Sequence, residues 1–427
     1  MYATEIEMKV LLAYEWCQIG GVEAFMASLA GKLREKGHEC EFFFFNRGDM
    51  EKNLSPAYLH FGDLGNCLAV IKSNAYDIVH ANSSDWNLGI SAVRKLNLPL
   101  VITAHGMVVP GWNSSTCDGF SCVSKWQADQ QASFTDLPIH LIYNGVDTDE
   151  FKAHPVSFSA TEEPIVAWVG RGVDMVHKRI DKLADIAPLL RKNGFRIWIA
   201  DPYGPDKVAE VVPEAASVLR STAEFWGGVD RSDLPDFYRR VAASGGCVLS
   251  TSVREGFGMV MAEAQACGCP VIGPDVVGIN EVVRPEFGGV LYPFDLDASS
   301  LAALIEATLK DDDKMRWRRQ AAATFARETF GLERMVNQYV KLYEEALQVK
   351  RKGGISQWIA PVLHWQQYIE RRWTAGQNLF AAAEALASRG DRDLSRLVAK
   401  HSFETCPSLF LRPHRLLNLL KIAFNAY

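Results

Sequence analysis

A glycine-rich turn with a glutamate on either side lies in the stretch REGFGMVMAEAQACGCPVIG, residues 254 to 273. Apolar spacing after the turn predicts a helix from Met259 to Cys267, with Gly268 at its C-terminal end. Glycines in the turn leave backbone N–H groups open to phosphate oxygens, which the N-terminus of a helix also attracts. The residues predicted to bind this anion are Gly256, Phe257, Gly258, Met259 and Val260.

The two glutamates predict hydroxyl acceptors beside the anion. Glu263 lies one turn inside the helix, where its carboxylate could accept from both hydroxyls of a ribose, and Glu255 would face a second polyol. One anion site between two hydroxyl acceptors describes a nucleoside diphosphate sugar. The alternative is that Glu263 stabilises its own helix and that Glu255 is a surface residue.

Two cations in VGRGVDMVHKRIDKL could hold the same diphosphate. Arg171 ends a predicted strand and would act as a planar fork, whereas Lys178 precedes the next helix and would act as a point charge. Solvated surface charges are the alternative for both, and this is the interpretation given to Arg179 and Lys182. Only their pairing with the glutamate segment favours diphosphate binding over a surface role for Arg171 and Lys178.

Two further candidates stand in the first part of the chain. Gly20 and Gly21 directly precede a predicted helix, so backbone and helix N-terminus could approach an anion, although a tight turn alone also needs glycine. His105 follows the apolar strand LPLVITA and could donate or accept a hydrogen bond near neutral pH. A structural histidine is the alternative.

The elements that position these residues are short apolar runs alternating with amphipathic helices, which predict parallel doubly wound sheets. One series runs from MKVLLAY to HLIYN, and a second runs from PIVAWVGR to GGVLYPF, with a linker near 151–164 between them. We therefore predict an α/β protein with two Rossmann-like domains facing a central cleft and a helical C-terminal extension. The predicted domains are 1–152, 153–348 and 349–427. In such sheets ligands bind beyond the carboxyl ends of the strands, where all the candidates lie.

Composition narrows the class of protein. The 427 residues are enough for two buried cores, and a net charge of −6 argues against nucleic acid as a partner. The first residues are acidic where a signal peptide would be basic, and no apolar run is long enough to span a bilayer, so we expect a cytoplasmic protein. The nine cysteines include no CxxC pair, which favours reduced thiols over disulfides or a sulfur-bound metal.

Taken together and in this order, EGFGMVMAE, VGR with HKRID, TAHG, IYNGVD and the early GG resemble the retaining glycosyltransferases of family 4, which have the GT-B fold. The resemblance covers about residues 8 to 348. Two departures concern one segment: Arg179 stands where the family often has glycine, and the interval from Arg171 to Lys178 is longer than usual.

The resemblance implies a role for each candidate. Arg171 and Lys178 would bind the donor diphosphate, Glu263 the ribose, and Glu255 the transferred sugar together with the turn that follows it. His105 would touch the sugar near the reacting carbon, and Gly21 would let the first domain close on the phosphate. The first domain would bind the acceptor, a glycan, a lipid-linked sugar or a small molecule.

The charges predict a reaction without a divalent ion, because protein cations and a helix N-terminus can stabilise the leaving diphosphate. We expect no cofactor and no metal ligands, and we favour a UDP-sugar over a GDP-sugar as donor. The two D-x-D strings, Asp147 with Asp149 and Asp295 with Asp297, are interpreted as loop turns. Retention would follow from front-face attack, in which a donor phosphate oxygen takes the acceptor proton. A sugar-nucleotide epimerase, a phosphorylase and a non-catalytic binding protein remain alternatives.

The C-terminal stretch 351–427 is basic, with eleven Lys/Arg against five Asp/Glu, whereas the rest of the chain is acidic. Its spacing predicts a helical hairpin around Gly390-Asp391 and a last amphipathic helix at RLLNLLKIAF. Three interpretations stay open: packing against the core, a partner or dimer surface, and peripheral contact with the inner face of the membrane.

Overall fold

The computed structural model of the chain describes residues 7–83, 87–106, 111–154, 163–227, 231–349, 365–411 and 413–423. The chain forms two compact units. The first unit comprises Met1–Ile142 and Met335–Tyr427, and the second comprises Tyr143–Arg334.

The first unit is built on a parallel sheet of seven strands in the order β3-β2-β1-β4-β5-β6-β7. Its apolar runs form buried strands because both faces of the sheet are covered. The strands are β1 Lys9–Trp16, β2 Glu39–Asn46, β3 Leu59–Phe61, β4 Ile78–Ser83, β5 Leu100–Ala104, β6 Gly119–Cys122 and β7 Ile139–Leu141. The α-helices among them are α1 Gly21–Glu35, α2 Leu64–Ser73 and α3 Lys125–Gln131, and a 3-10 helix spans Asn87–Leu96.

The second unit repeats this architecture with six parallel strands in the order β10-β9-β8-β11-β12-β13. In both sheets the strand order reverses beside the first strand, β1 or β8, which is where doubly wound sheets bind ligands. The strands are β8 Ile165–Val169, β9 Arg196–Asp201, β10 Glu224–Gly227, β11 Cys247–Leu249, β12 Val271–Pro274 and β13 Val290–Tyr292. The helices are α4 Met175–Lys178, α5 Ile180–Lys192, α6 Gly204–Val211, α7 Pro213–Thr222, α8 Leu234–Ala243, α9 Met259–Ala266, α10 Ile279–Val282, α11 Ala298–Leu309 and α12 Asp312–Phe330.

Four helices follow, and they pack almost entirely with the first unit: α13 Leu332–Gln348, α14 Trp365–Ser388, α15 Arg392–Thr405 and α16 Pro413–Ala423. The predicted hairpin is confirmed, because α14 and α15 meet at Gly390, whose φ of +84° suits glycine, and at Asp391, which caps α15. Apolar side chains of α14, including Leu379 and Leu386, share one core with strands β1, β4 and β5.

These contacts correct the predicted domain boundaries. The described part of the predicted extension, 365–411 and 413–423, is not separate, because apolar side chains of α14, α15 and α16 complete the core of the first unit. The segment from 143 to 152 belongs to the second unit, where Phe151 is fully buried and Arg239 donates to the carbonyl of Lys152 over 3.1 Å. The division between the two units therefore falls after Ile142 rather than after residue 152, and most of the predicted linker lies outside the described residues.

A buried polar network joins α13 to the first sheet. The ring nitrogens of His80 lie 2.7 Å from the Tyr343 hydroxyl and 2.7 Å from Thr103 Oγ1. Thr103 in turn lies 3.0 Å from the Tyr339 hydroxyl and 2.7 Å from Ser121 Oγ. Burial lowers the pKa of His80 to about 3, so the ring is neutral and each of its nitrogens has a hydroxyl partner. The network fixes the position of α13 on the sheet.

The structure also bears on membrane and thiol chemistry. In the part of the chain that is described, no helix combines the length and the apolar character needed to cross a bilayer. All nine cysteines are buried with free thiols, as the sequence predicts.

Candidate functional site

Lys178 and Glu255 meet in the second unit. Lys178 Nζ donates to Glu255 Oε1 over 2.6 Å, and the two side chains are only 20% and 17% exposed. Ser252 Oγ donates to the same oxygen over 2.8 Å. Since both bonds go to Oε1, the other carboxylate oxygen can accept from a ligand hydroxyl.

The loops that carry this pair are held by backbone contacts. Thr251 Oγ1 donates to the carbonyl of Lys178 over 2.7 Å and accepts from the indole of Trp168 over 2.9 Å. The backbone N–H of Val253 donates to the carbonyl of His177 over 2.8 Å. The loop after β8 is therefore attached to the loop after β11, which brings together residues from two predicted site segments.

Arg171 lies at the end of β8 and is more exposed than Lys178. Its guanidinium Nη2 is 3.6 Å from Asp174 Oδ2, too far for a direct hydrogen bond, and its side chain is 41% exposed. Asp174 Oδ1 also lies 2.9 Å from His177 Nδ1, and this ring nitrogen donates because a carboxylate can only accept. Arg171 therefore has only a loose partner in the free protein and can turn toward an anionic ligand.

The glycine turn shapes the N-terminus of α9. Gly258 caps the helix with φ +98°, a conformation that favours glycine, and the N–H groups of Met259 and Val260 have no acceptor within the helix. The ring of Phe257 is buried and packs 5.1 Å from that of Phe330, so only the backbone of Phe257 could contact a ligand. The buried ring of Phe257 thus holds the turn in place, and the N–H groups of Met259 and Val260 can bind an anion.

Glu263 has a partner that the sequence did not reveal. It is 1% exposed, and Arg231 Nη2 lies 2.8 Å from its Oε1. This is a close ion pair in which the N–H is not aligned for a hydrogen bond, and Oε1 accepts none from the described residues. The Tyr238 hydroxyl is buried near the same carboxylate, and its interaction with Glu263 lowers the pKa of that carboxyl.

The protonation of Glu263 reflects two opposing effects. Burial raises the pKa of its carboxyl, and the positive charge of Arg231 lowers it in part. Removal of Arg231 would raise this pKa further, because burial would then act without compensation. Arg231 therefore favours the ionised carboxylate, which is the stronger hydrogen-bond acceptor.

In the first unit, His105 follows β5 and lies beside the end of β4. Its Nε2 is 2.8 Å from Asn82 Oδ1, and its ring centroid is 4.7 Å from that of Phe25 on α1. Burial lowers the pKa of His105 to about 3, so the imidazole is neutral at physiological pH. Because an amide oxygen can only accept, Nε2 carries the proton and Nδ1 is an acceptor.

The two early glycines differ in their surroundings. A side chain at Gly21, the first residue of α1, would meet nothing within 4 Å, whereas one at Gly20 would lie 2.7 Å from Glu23 Oε2. Glu23 Oε1 accepts from the backbone N–H of Gln18 over 3.2 Å. Gly20 is thus explained by the packing of Glu23, and only Gly21 faces open space.

The D-x-D strings belong to turns and caps. Asp147 Oδ1 accepts from the N–H groups of Asp149 and Glu150, and Asp297 caps α11 by accepting from the N–H of Ser300. Among the residues that the structure describes, no group of three or more His, Cys, Asp or Glu side chains is placed to share a metal ion.

Arg179 adopts a backbone conformation that explains why glycine is common there in the family it resembles. Its φ of +49° and ψ of +53° are left-handed, which costs a residue with a side chain roughly 1 to 2 kcal/mol. We expect Arg179→Gly to be more stable than Arg179→Ala by about 1 kcal/mol, because both lose the ion pair with Asp181 and only alanine keeps the strain. Urea unfolding followed by circular dichroism measures the difference.

The matched control is Lys182, which lies inside α5. There alanine should be more stable than glycine by about 1 kcal/mol, since glycine is unfavourable in a helix interior. The same order at both positions would show that Arg179 is not strained.

Three residues that complete these sites were not predicted from sequence. Asn82 orients His105, Ser252 shares Glu255 with Lys178, and Arg231 pairs with Glu263. Asn82 lies at the end of β4, whereas Ser252 follows β11 and Arg231 follows β10. Their place at the carboxyl ends of strands was the available signal. Their partners could not be assigned without the fold.

Comparison with known proteins identifies the family. The family model described as glycosyl transferases group 1 matches residues 149–325, and that of glycosyltransferase family 4 matches residues 19–150. A D-inositol 3-phosphate glycosyltransferase of Xylanimonas cellulosilytica is 29% identical over 316 residues, covering 64% of this chain and 72% of the relative. An uncharacterised 41.2 kDa protein from the cps region of Klebsiella pneumoniae is 31% identical over 312 residues, 65% of this chain and 81% of the relative.

Among solved structures, Anabaena HepE in complex with UDP and glucose superposes with a TM-score of 0.62 at 21% identity, over 79% of this chain and all of that one. This likeness confirms the predicted GT-B fold with its two Rossmann-like domains. Together, the two family models cover most of the chain from Ile19 to Phe325. The chain belongs to glycosyltransferase family 4.

Proposed function

We propose that the protein transfers a sugar from a nucleoside diphosphate sugar to a hydroxyl acceptor, with retention of configuration and without a divalent ion. The observation that carries the proposal is the contact of Lys178 with Glu255 directly ahead of the free N–H groups of α9. A cation, a hydroxyl acceptor and an anion-binding helix terminus thus occupy one edge of the second sheet. Glu263, one turn along the same helix, supplies the second hydroxyl acceptor.

In this proposal the diphosphate binds the N-terminus of α9 and the side chains of Lys178 and Arg171. The anomeric C–O bond of the donor breaks, and its electron pair remains on the diphosphate. The acceptor oxygen forms the new bond on the same face, and its proton passes to a donor phosphate oxygen. Negative charge grows on the diphosphate as the bond breaks, so fixed cations lower the barrier.

Glu255 suits a binding role better than a nucleophilic one. Its Oε1 accepts two hydrogen bonds, one of them from a cation, which reduces its reactivity toward an anomeric carbon. A direct front-face reaction needs no enzyme nucleophile and would give an α-linked product from an α-linked donor.

The donor is proposed to be a UDP-sugar. Its support is the structural neighbour, since Anabaena HepE was solved with UDP and with UDP-glucose. In a thermal-shift panel with UDP, GDP and ADP, we expect UDP to raise the melting temperature most. A larger shift with GDP or ADP would reassign the nucleotide without affecting the reaction type.

Two measurements test the reaction itself. Anomeric NMR of the product formed from an α-linked UDP-sugar should show an α-linkage, and a β-linkage would contradict retention. Turnover should survive exhaustive chelation, because protein cations neutralise the leaving group. If activity disappears and returns with Mg²⁺ or Mn²⁺, the metal-free proposal is wrong. An acceptor-independent change in the sugar would instead indicate an epimerase.

For His105 we expect a contribution to turnover that does not titrate near neutrality. Its pKa of about 3 keeps the ring neutral, so kcat/KM should show no ionisation of this histidine between pH 5 and 8. His105→Ala should lower kcat about tenfold, the effect of one lost hydrogen bond, with UDP affinity nearly unchanged because the nucleotide site lies in the second unit.

The matched control is His60→Ala, since His60 is paired with Glu41 over 2.7 Å at the edge strand β3. This variant should keep wild-type kcat. A wild-type ionisation near pH 6.5 that disappears in His105→Ala would show that His105 acts in its charged form, against this prediction.

A further inference from the structure

Helix α16 has apolar residues on two faces, and among the described residues one of these faces packs against the core of the first unit. Ile422 is buried and Leu419 is partly buried against the core of the first unit. Asn418 on the same face donates to Glu384 over 2.6 Å. The helix is therefore fixed to α14 and its orientation is defined.

The opposite face exposes leucines. Leu416, Leu417 and Leu420 are 43%, 55% and 44% exposed, and Leu411 just before the helix is 83% exposed. We call Leu416, Leu417 and Leu420 the leucine face. In a helix, positions 416, 417 and 420 lie side by side. Isolated exposed leucines are ordinary, but a group on one face usually marks an interaction surface.

The segment of chain that carries the leucine face has charges of one sign. Residues 405–427 contain three Lys/Arg and no Asp or Glu, within a chain whose net charge is −6. Lys421 is exposed and lies one turn after Leu417 on the same side of the helix. A basic helix with an exposed apolar face is typical of proteins that bind the surface of an anionic membrane.

We propose that the leucine face inserts into the interface of an anionic lipid bilayer, with α16 lying in the membrane plane. Lys421 would contact the phosphate headgroups while the leucines enter the acyl boundary. The charge pattern favours lipid over a second copy of the chain, because a symmetric pair of these helices would bring like charges together. The proposal does not depend on the glycosyltransferase reaction, and its test uses no substrate.

Co-sedimentation of the full chain with vesicles tests the proposal. We expect binding to vesicles of phosphatidylcholine and phosphatidylglycerol in equal parts, weaker binding to phosphatidylcholine alone, and a decline with added salt. The variant L416Q/L417Q/L420Q should lose about tenfold in affinity, because insertion depends on apolar area. Lys421→Glu should also weaken binding to the anionic vesicles.

The control is Val211→Gln, which removes an apolar side chain that is 51% exposed on α6 of the second unit. Its vesicle binding should equal that of wild type, and unchanged thermal melts would show that the variants fold. Equal binding of wild type and the triple variant would overturn the proposal. The proposal would also be overturned if light scattering showed a dimer for wild type and for the control but a monomer for the triple variant. The leucine face would then be a contact between copies of the chain.

Discussion

Lys178→Ala is expected to lower kcat about 10²- to 10³-fold, the range seen when one donor to a developing negative charge is removed. Of the two cations in the proposed diphosphate site, Lys178 has the less exposed side chain. Its Nζ also donates to Glu255 over 2.6 Å and so holds that carboxylate in place. KM should change less than kcat, because charge on the diphosphate is larger in the transition state than in the bound donor. Steady-state kinetics over a range of donor concentrations separates the two.

Arg171→Ala should act in the same direction with a smaller effect, since the guanidinium is 41% exposed and is held only loosely by Asp174. The matched control is Lys182→Ala. Its Nζ donates to the carbonyl of Phe294, away from Glu255, so kcat should stay within about twofold of wild type while stability declines slightly. A wild-type kcat in Lys178→Ala would remove this lysine from the reaction.

Glu263→Gln is expected to weaken binding of the nucleoside diphosphate roughly 10- to 100-fold, because each charge-assisted hydrogen bond to a ribose hydroxyl is worth about 1.5 to 3 kcal/mol. The glutamine keeps the shape of the side chain and loses its charge. Isothermal calorimetry with UDP measures the change. Glu286→Gln, which removes an exposed carboxylate paired with Arg284, is the control and should leave the affinity unchanged.

The ion pair with Arg231 adds a pH dependence to this prediction. The charge-assisted bonds require an ionised Glu263, so affinity is present above the pKa of this carboxyl and is lost as the pH falls through it. Burial raises that pKa and Arg231 lowers it in part, so Arg231→Met should move the loss of UDP affinity to higher pH. Identical pH profiles for wild type and Arg231→Met would show that Glu263 does not accept from the ligand.

Much of the fold could be predicted from the sequence because buried parallel strands are nearly continuous apolar runs. All the strands except β3, an edge strand of three residues, follow from local patterns. The helix α9 and its glycine cap follow from local patterns too. Lys178 and Glu255 were both predicted as site residues, and the structure shows that they touch.

The partners of the site residues could not be predicted, since they depend on tertiary contacts. Arg231 reaches Glu263 from the loop after β10, and nothing in either local sequence encodes their proximity. The predicted boundary between the first two domains, at residue 152, differs from the observed division after Ile142 for the same reason. Apolar spacing in α14 predicts a buried face, but only the packed structure shows that this face completes the first sheet.

The division of the first unit into two separate stretches of chain has a consequence for biosynthesis. As the chain leaves the ribosome, residues 143–334 emerge as a continuous segment and can fold while translation continues. The first sheet emerges earlier but must wait for α13 and α14, because Tyr339 and Tyr343 satisfy His80 and Thr103 in its interior. Since these contacts form only after the second unit has been made, we expect the domain that is made first to be completed last.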